Sequence, residues 1–366
     1  MFSSFSPKAK RNIARIIPFA IIWVVMGWII LYLEHVASIN GVVDDETAIH
    51  LNFPVVLFAT VSVALIGLLV GVMEVIWLEK VFRKRSFAQK LFYKFGLYAL
   101  TMLVIISIAY PIAASIELKT SLFSQAVQEK FFGFMLSPVF WSTMVGMGTS
   151  LFLCLFYAGI SENLGHKVML NFFTGKYHSP KEEERIFMFL DLKASTTIAE
   201  KLGHVRYFNF LQEYYDNLSD AIIAHQGEVY QYIGDEIVVS WRNELGLKSN
   251  NCVECFFAMK RDLQKRWPFY EAQYGFEPSF KAAMHFGRVT TGEIGALKKE
   301  IFYTGDVLNT TARIQGLCNE YGEELLISEA LQAQLSLDAK YQTKSHGTAV
   351  LKGKASRLEI VGVRKS

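Results

Sequence analysis

The sequence predicts a two-part protein: a four-helix transmembrane domain followed by a cytoplasmic α+β domain. Three observations predict it. Long uncharged apolar runs are confined to the first 160 residues. Basic clusters flank these runs on alternate sides. Beyond them the chain switches to short strand-period and helix-period segments punctuated by Gly, Pro and Asp. At 366 residues, 52% hydrophobic and with a mean hydropathy of +0.25, the chain is too apolar to be soluble throughout. The net charge is only +3, and its basic residues border apolar runs. That pattern speaks for membrane topology and against nucleic-acid binding.

The first apolar run extends from Ile16 to Val36, the second from Phe53 to Trp77, the third from Leu91 to Ile116 and the fourth from Pro138 to Ile160. Each reaches the roughly 20 residues that span a bilayer. The first is too long for a signal peptide, and no small-residue cleavage site follows it. Lys8, Lys10, Arg11 and Arg15 precede it, and Lys80, Arg83, Lys84, Arg85 and Lys90 fill the second loop. The first loop instead carries Asp44, Asp45 and Glu46. The positive-inside bias therefore predicts an inner-membrane, multi-pass protein with both termini and the second domain in the cytoplasm. Trp23, Trp28, Trp77 and Trp141 read as interfacial anchors. Glu74 reads as a side chain near the cytoplasmic end of the second span that reaches water; a polar intramembrane site is the alternative.

The expected boundaries are a cytoplasmic tail over 1–15, the four spans over 16–160, a linker over 161–182 and the second domain over 183–366. Gly175 and Pro180 break the linker's helical pattern. Arg185–Leu192 reads as a strand, and Ser195, Thr196 and Thr197 suit a helix start. A helix over Val205–His225 shows apolar spacing at Phe208, Leu211, Tyr215, Leu218 and Ile222. Strands Glu228–Ile233 and Glu236–Trp241 follow, then a helix over Asn251–Trp267. SFKAAMHFGRV, TTGEIG and KEIFYTG read as three strands, GDVLNTTARIQGLC as a turn and helix, and ELLIS, TAVLKG and RLEIVGV as strands. Strand, helix, two strands, helix, strand is the order of a ferredoxin-like core, here with extra strands. Of the four cysteines, Cys154 lies in an apolar run, and Cys252 and Cys255 form a CxxC with no second pair at zinc spacing; all suit buried helix positions.

Asp191 ends one strand and Asp235 begins another. If those strands are neighbours, the two carboxylates meet. Paired carboxylates take up a proton or share a cation, and hard oxygen ligands suit Mg²⁺ or Mn²⁺ with phosphate oxygens completing the shell. The helix start at Ser195 and Thr196 offers backbone N–H groups to an anion. Together these suggest a nucleoside triphosphate. From these residues alone, an equal alternative is a helix cap at Asp191 and a turn residue at Asp235.

Read together, FMFLDLKASTTIAEKLG, GEVYQYIGDEIVV, YTGDVLNTTARIQ and LKGK resemble, in order, the motifs of class III adenylate and guanylate cyclases over residues 183–364. The resemblance implies a class III cyclase fold that converts a nucleoside triphosphate, ATP foremost, to a 3′,5′-cyclic nucleotide and pyrophosphate. It implies two divalent cations on Asp191, Asp235 and the Leu192 carbonyl, acidifying the ribose 3′-hydroxyl for in-line attack on the α-phosphorus. It assigns Asn309 to orienting the ribose, Arg313 to the α-phosphate charge and Lys352 to the terminal phosphates. It also implies a homodimer, with the Asp pair of one protomer facing Asn309 and Arg313 of the other.

Two positions depart from the family pattern. Gln231 stands where adenylate cyclases usually carry Lys, and Phe302 where they carry Asp or Thr. Both positions read the base in this family, so GTP, CTP and UTP stay open as substrates. The same departures motivate a second reading, a catalytically silent nucleotide-sensing or scaffold domain governed by the membrane bundle.

Overall fold

Two apolar regimes in the sequence give two compact units in the computed structural model, Ala9–Leu170 and chiefly Asn171–Ser366. The structure describes residues 6–39, 52–78, 81–82, 87–297, 299–349 and 357–366.

In the first unit, α1 spans Pro7–Ile39. It starts nine residues before the expected span, so the predicted tail is helical from Pro7. Lys and Arg are good helix formers, and Pro fits the first helical turn. α2 spans Phe53–Val72 and is capped by Asn52, whose Oδ1 accepts the Val55 N–H at 3.0 Å. It continues as a π-helical turn, Met73–Leu78. α3 spans Phe87–Leu118 and α5 spans Pro138–Leu164. Among the described residues, four helices are long and apolar enough to cross a membrane. Phe19, Trp23, Val70, Tyr98, Leu151 and Cys154 form part of their shared core, while Ile21, Trp28, Leu57, Leu65 and Phe152 point outward. One further helix, α4 over Gln125–Leu136, was not anticipated: Glu129 and Lys130 interrupt its apolar pattern.

Glu74 corrects the reading of a carboxylate that reaches water. It is buried in the π-helical turn, pairs with the Lys94 ammonium, and accepts the Tyr98 hydroxyl at 3.0 Å. Lys94 and Tyr98 are one turn apart on α3 and so share a face. Removing one partner of a buried ion pair strands the other charge. We therefore expect Lys94→Met to cost about 3–5 kcal/mol, with most of it regained in a Glu74→Gln/Lys94→Met double variant. Thermal unfolding of the detergent-solubilised protein checks this, and equal losses in both variants would reject it.

The second unit begins within α6, His166–Phe173. β1 (Lys181–Leu192), α7 (Ser195–Leu202), α8 (His204–Ala224), β2 (Glu228–Ile233), β3 (Glu236–Arg242), α9 (Asn243–Leu247), α10 (Asn251–Gln264) and α11 (Trp267–Tyr274) lead to β4 (Phe280–Ile294). β5 (Glu300–Thr304), α12 (Asp306–Gly316), α13 (Cys318–Tyr321), β6 (Leu325–Ser328), α14 (Glu329–Gln332), β7 (Tyr341–Ala349) and β8 (Leu358–Lys365) complete it. The sheet order is β2-β3-β1-β4-β6-β8-β7, with β5 hydrogen-bonded to β4. Its first four strands, read β4-β1-β3-β2 with α8 and α10 on one face, are the expected ferredoxin-like core.

Alternation along β1 builds two cores. Ile186, Met188, Leu190 and Leu192 face α8 and α10, meeting Phe210, Tyr214, Leu218, Phe256 and Met259. Phe187 and Phe189 face the other way, with Val238, Val289, Tyr303 and Val307. Cys252 and Cys255 are free and buried in the first core. Two expected strands, SFKAAMHFGRV and TTGEIG, are one continuous β4, because no turn-forming residue divides Val289-Thr290-Thr291. Part of TAVLKG lies in β7; its last four residues are outside the described residues.

Candidate functional site

The period of two that buries Phe187 and Phe189 carries Asp191 onto the same face of the sheet. β1 pairs with β3 so that Asp191 stands opposite Glu236. Asp235 sits one residue earlier, in the turn closing the β2–β3 hairpin, where Gly234 takes a left-handed φ of +63°. Tyr215 of α8 holds that turn: its hydroxyl donates to the Gly234 carbonyl at 2.5 Å, and its ring packs 4.6 Å from that of Tyr232. Tyr215→Phe should cost about 1 kcal/mol, the net worth of one hydrogen bond. A drop in the urea midpoint without a change in slope would report it, and an unmoved midpoint would refute the turn's dependence on this hydroxyl.

The two carboxylates are mutual neighbours. Burial, above all, raises the Asp191 carboxyl; the Asp235 carboxylate within hydrogen-bonding reach adds to this, while Gln315 and Lys281 oppose it. The Lys281 Nζ lies 3.5 Å from Asp191 Oδ2. Burial, and then the charges of Asp191 and Asp235, push Glu236 up to about 7. Asp235 Oδ2 is buried with no hydrogen-bond partner among the described residues. An orphaned buried oxygen beside a second carboxylate fits a hard divalent cation. No three His, Cys, Asp or Glu side chains among the described residues converge to hold a metal by themselves. A cation here would therefore need backbone, water or phosphate oxygens as well. Leu192, whose carbonyl is the expected third donor, buries its side chain in the first core.

α7 begins directly after this strand end. Ala194 is left-handed at φ +56° and no side chain caps the helix, which leaves first-turn N–H groups open beside Ser195 and Thr196. α12 packs on the same side of the sheet through Val307. Its entry is close: a Cβ on Gly305 would meet the Arg288 carbonyl at 2.8 Å. Thr310, Thr311, Ile314 and Gln315 are buried, whereas Asn309 is exposed and Arg313 half-buried. Gln315 bears on Asp191. Arg313 is two residues back, about 200° around the helix, and so lies on a different face of α12 from Gln315.

Gln231 is exposed in β2 opposite Val238, and Phe302 is exposed in β5 opposite Gly292. Their sequence neighbours Tyr230 and Tyr303 touch, with ring centres 4.8 Å apart. The structure thus brings Asp191 together with Asp235, carries Asn309 and Arg313 one turn apart on α12, and joins the strands of Gln231 and Phe302 through the Tyr230–Tyr303 contact. Lys352 lies outside the described residues. Sequence reading missed Tyr207 and Tyr215 of α8, Lys281 and Glu236. Tyr207 is pushed up to about 12 by burial and then by the charges of Asp235 and Asp191. Only Glu236 carried a signal, its adjacency to Asp235; the others reach the site by tertiary packing.

The family described as Adenylate and Guanylate cyclase catalytic domain matches residues 178–362. Adenylate cyclase 2 of Rhizobium meliloti (strain 1021) is 32% identical over 209 residues, covering 57% of this chain and 58% of that protein. Adenylate cyclase 1 of the same organism is 31% identical over 191 residues, covering 50% of this chain and 28% of that protein. The chain thus spans 58% of the first relative and 28% of the second. A solved bacterial light-regulated adenylyl cyclase superposes with a TM-score of 0.52 at 20% identity, covering 60% of this chain and 64% of that one, a likeness of fold.

Proposed function

The chain belongs to the adenylate and guanylate cyclase catalytic domain family, and from that premise we propose that it is a membrane-anchored nucleotidyl cyclase. It forms a 3′,5′-cyclic nucleotide and pyrophosphate, with ATP as the first substrate, in line with relatives named adenylate cyclase. The observation that carries this reading is the adjacency of Asp191 and the orphaned Asp235 oxygen beside an uncapped helix start.

Asp191, Asp235 and the Leu192 carbonyl would hold two divalent cations, which when bound supply acidity to the ribose 3′-hydroxyl and countercharge to the leaving pyrophosphate. Ser195 and Thr196 present backbone N–H groups to the phosphates. Asn309 orients the ribose, and Arg313 meets the charge that grows on the α-phosphate oxygens. Lys352 holds the terminal phosphates. Arg313 lies on a different face of α12 from Gln315, which supports a site drawn from two protomers, and the working unit is a homodimer. Gln231 and Phe302 line the base. The four apolar helices anchor the chain in the inner membrane, with both termini and the catalytic domain in the cytoplasm. The domain limits proposed are 16–160 for the anchor, 161–182 for the linker and 183–366 for the cyclase.

The test is the purified full chain with Mn²⁺ and each of the four triphosphates, its products resolved by chromatography. Cyclic AMP should form with the highest kcat/KM. Dimeric protein that binds triphosphate yet yields no cyclic product from any of them would reject catalysis in favour of a silent nucleotide sensor.

A further inference from the structure

Arg185 is a fully buried charge inside the sheet, 1% exposed. Its Nη2 donates to Glu228 Oε2 at 2.8 Å, and its Nη1 donates to Ser240 Oγ at 3.1 Å and to the Tyr303 hydroxyl at 2.6 Å. Its Nε lies 3.3 Å from Glu183 Oε2. One guanidinium on β1 therefore binds β2, β3 and β5 at once. The ring of Tyr303 also packs edge-on to Phe187 at 5.5 Å and against Tyr230 at 4.8 Å, and the Tyr303 backbone N–H donates to the Tyr230 hydroxyl at 3.4 Å.

Burying an ion pair gains little stability over well-packed apolar residues. A planar fork of fixed donors instead specifies geometry. What it fixes here is β5, which among the described residues pairs with the end of β4 alone. Tyr303 is flanked by Phe302, and Tyr230, which it touches, is flanked by Gln231. The tyrosine pair ties β5 to β2, the strands that carry Phe302 and Gln231, and Arg185 holds the tyrosine pair.

We propose that Arg185 is a positioning residue for base selection: through the Tyr303 hydroxyl it fixes the spacing of Gln231 and Phe302, and so the ratio of affinities among nucleoside triphosphates. This rests on the nucleotide-binding reading above. It concerns which base is held, not the rate of cyclisation.

The experiment measures binding rather than turnover. The full chain in detergent is titrated with 3′-deoxy-ATP, -GTP, -CTP and -UTP, which lack the attacking hydroxyl, and with inorganic tripolyphosphate, which lacks a base. Tyr303→Phe removes only the hydroxyl that accepts from Arg185. It should change the ratio of dissociation constants between the preferred and next-best nucleotide by about fivefold or more, with tripolyphosphate binding unchanged within about twofold. Arg185→Lys keeps the charge but not the fork and should shift the ratio in the same direction; should it not fold, Tyr303→Phe decides alone. An unchanged ratio overturns the proposal, and so does equal weakening of every nucleotide and tripolyphosphate, which marks a merely structural role. Wild-type protein that binds no triphosphate at all overturns the nucleotide reading and this proposal with it. Wild-type binding without any cyclic product refutes the cyclase reading, while the shifted ratio still supports the role of Arg185.

Discussion

Asp235→Asn should lower cyclic-nucleotide formation by about 10³-fold, the scale of losing a principal electrostatic stabiliser, and at the same time make the apo domain more stable. The two effects have one cause. Without a cation, the Asp191 and Asp235 carboxylates face each other in a half-buried setting, and Asp235 Oδ2 has no hydrogen-bond partner among the described residues. An amide of the same shape removes the repulsion and offers Asp191 a donor. A gain of about 1 kcal/mol would raise the melting temperature by about 2–4 °C in a domain of this size. Added Mn²⁺ should stabilise the parent protein by mass action and leave the variant unmoved. Melting curves with and without Mn²⁺, beside a product assay, give all three readings. A variant that keeps its activity, or one that loses stability in the apo state, would remove the reason for treating this pair as a cation site.

The features visible in sequence were those encoded by local period and punctuation. The alternation of RIFMFLDL put Asp191 on the face of Phe187 and Phe189, and Gly-Asp announced the hairpin turn, so the adjacency of Asp191 and Asp235 was readable as one of two equal alternatives that strand pairing decides. Their register was not: the left-handed turn at Gly234 places Glu236, rather than Asp235, directly opposite Asp191. The ferredoxin-like core followed from element order, and the resemblance to the cyclases agrees with the family match. Long-range pairings stayed hidden. Glu74 could be placed near a helix end, but nothing local named Lys94 and Tyr98, 20 and 24 residues on, as its partners. Arg185 looked like an ordinary charge at a strand start, because Glu228, Ser240 and Tyr303 lie 43, 55 and 118 residues away.

A mixture of two dead variants should regain activity. On the proposed reading, Asp235→Asn spoils the carboxylate half of each site and Arg313→Ala the arginine half. If a site were built within one chain, mixing them would restore nothing. The geometry of α12 argues otherwise: Gln315, on its buried edge, bears on Asp191, while the half-buried Arg313 and the exposed Asn309 lie on other faces of the helix. When the sites lie across a two-fold axis, random pairing of equal amounts makes about half of the dimers mixed, and each mixed dimer holds one site with both halves intact and one with neither. Recovered activity should therefore approach about one quarter of the parent rate per protomer, rising as subunits exchange. Co-expression from one plasmid, with differently tagged copies purified in tandem, isolates the mixed dimer, which should run at about half the parent rate. Asp235→Asn mixed with Asp191→Asn must stay silent, because both lesions fall in the same half of the site. No recovery in the first pair would place all of the reacting groups on a single chain and leave the outward face of α12 without a catalytic role, whereas recovery in the second would put Asp191 and Asp235 of one site on different chains.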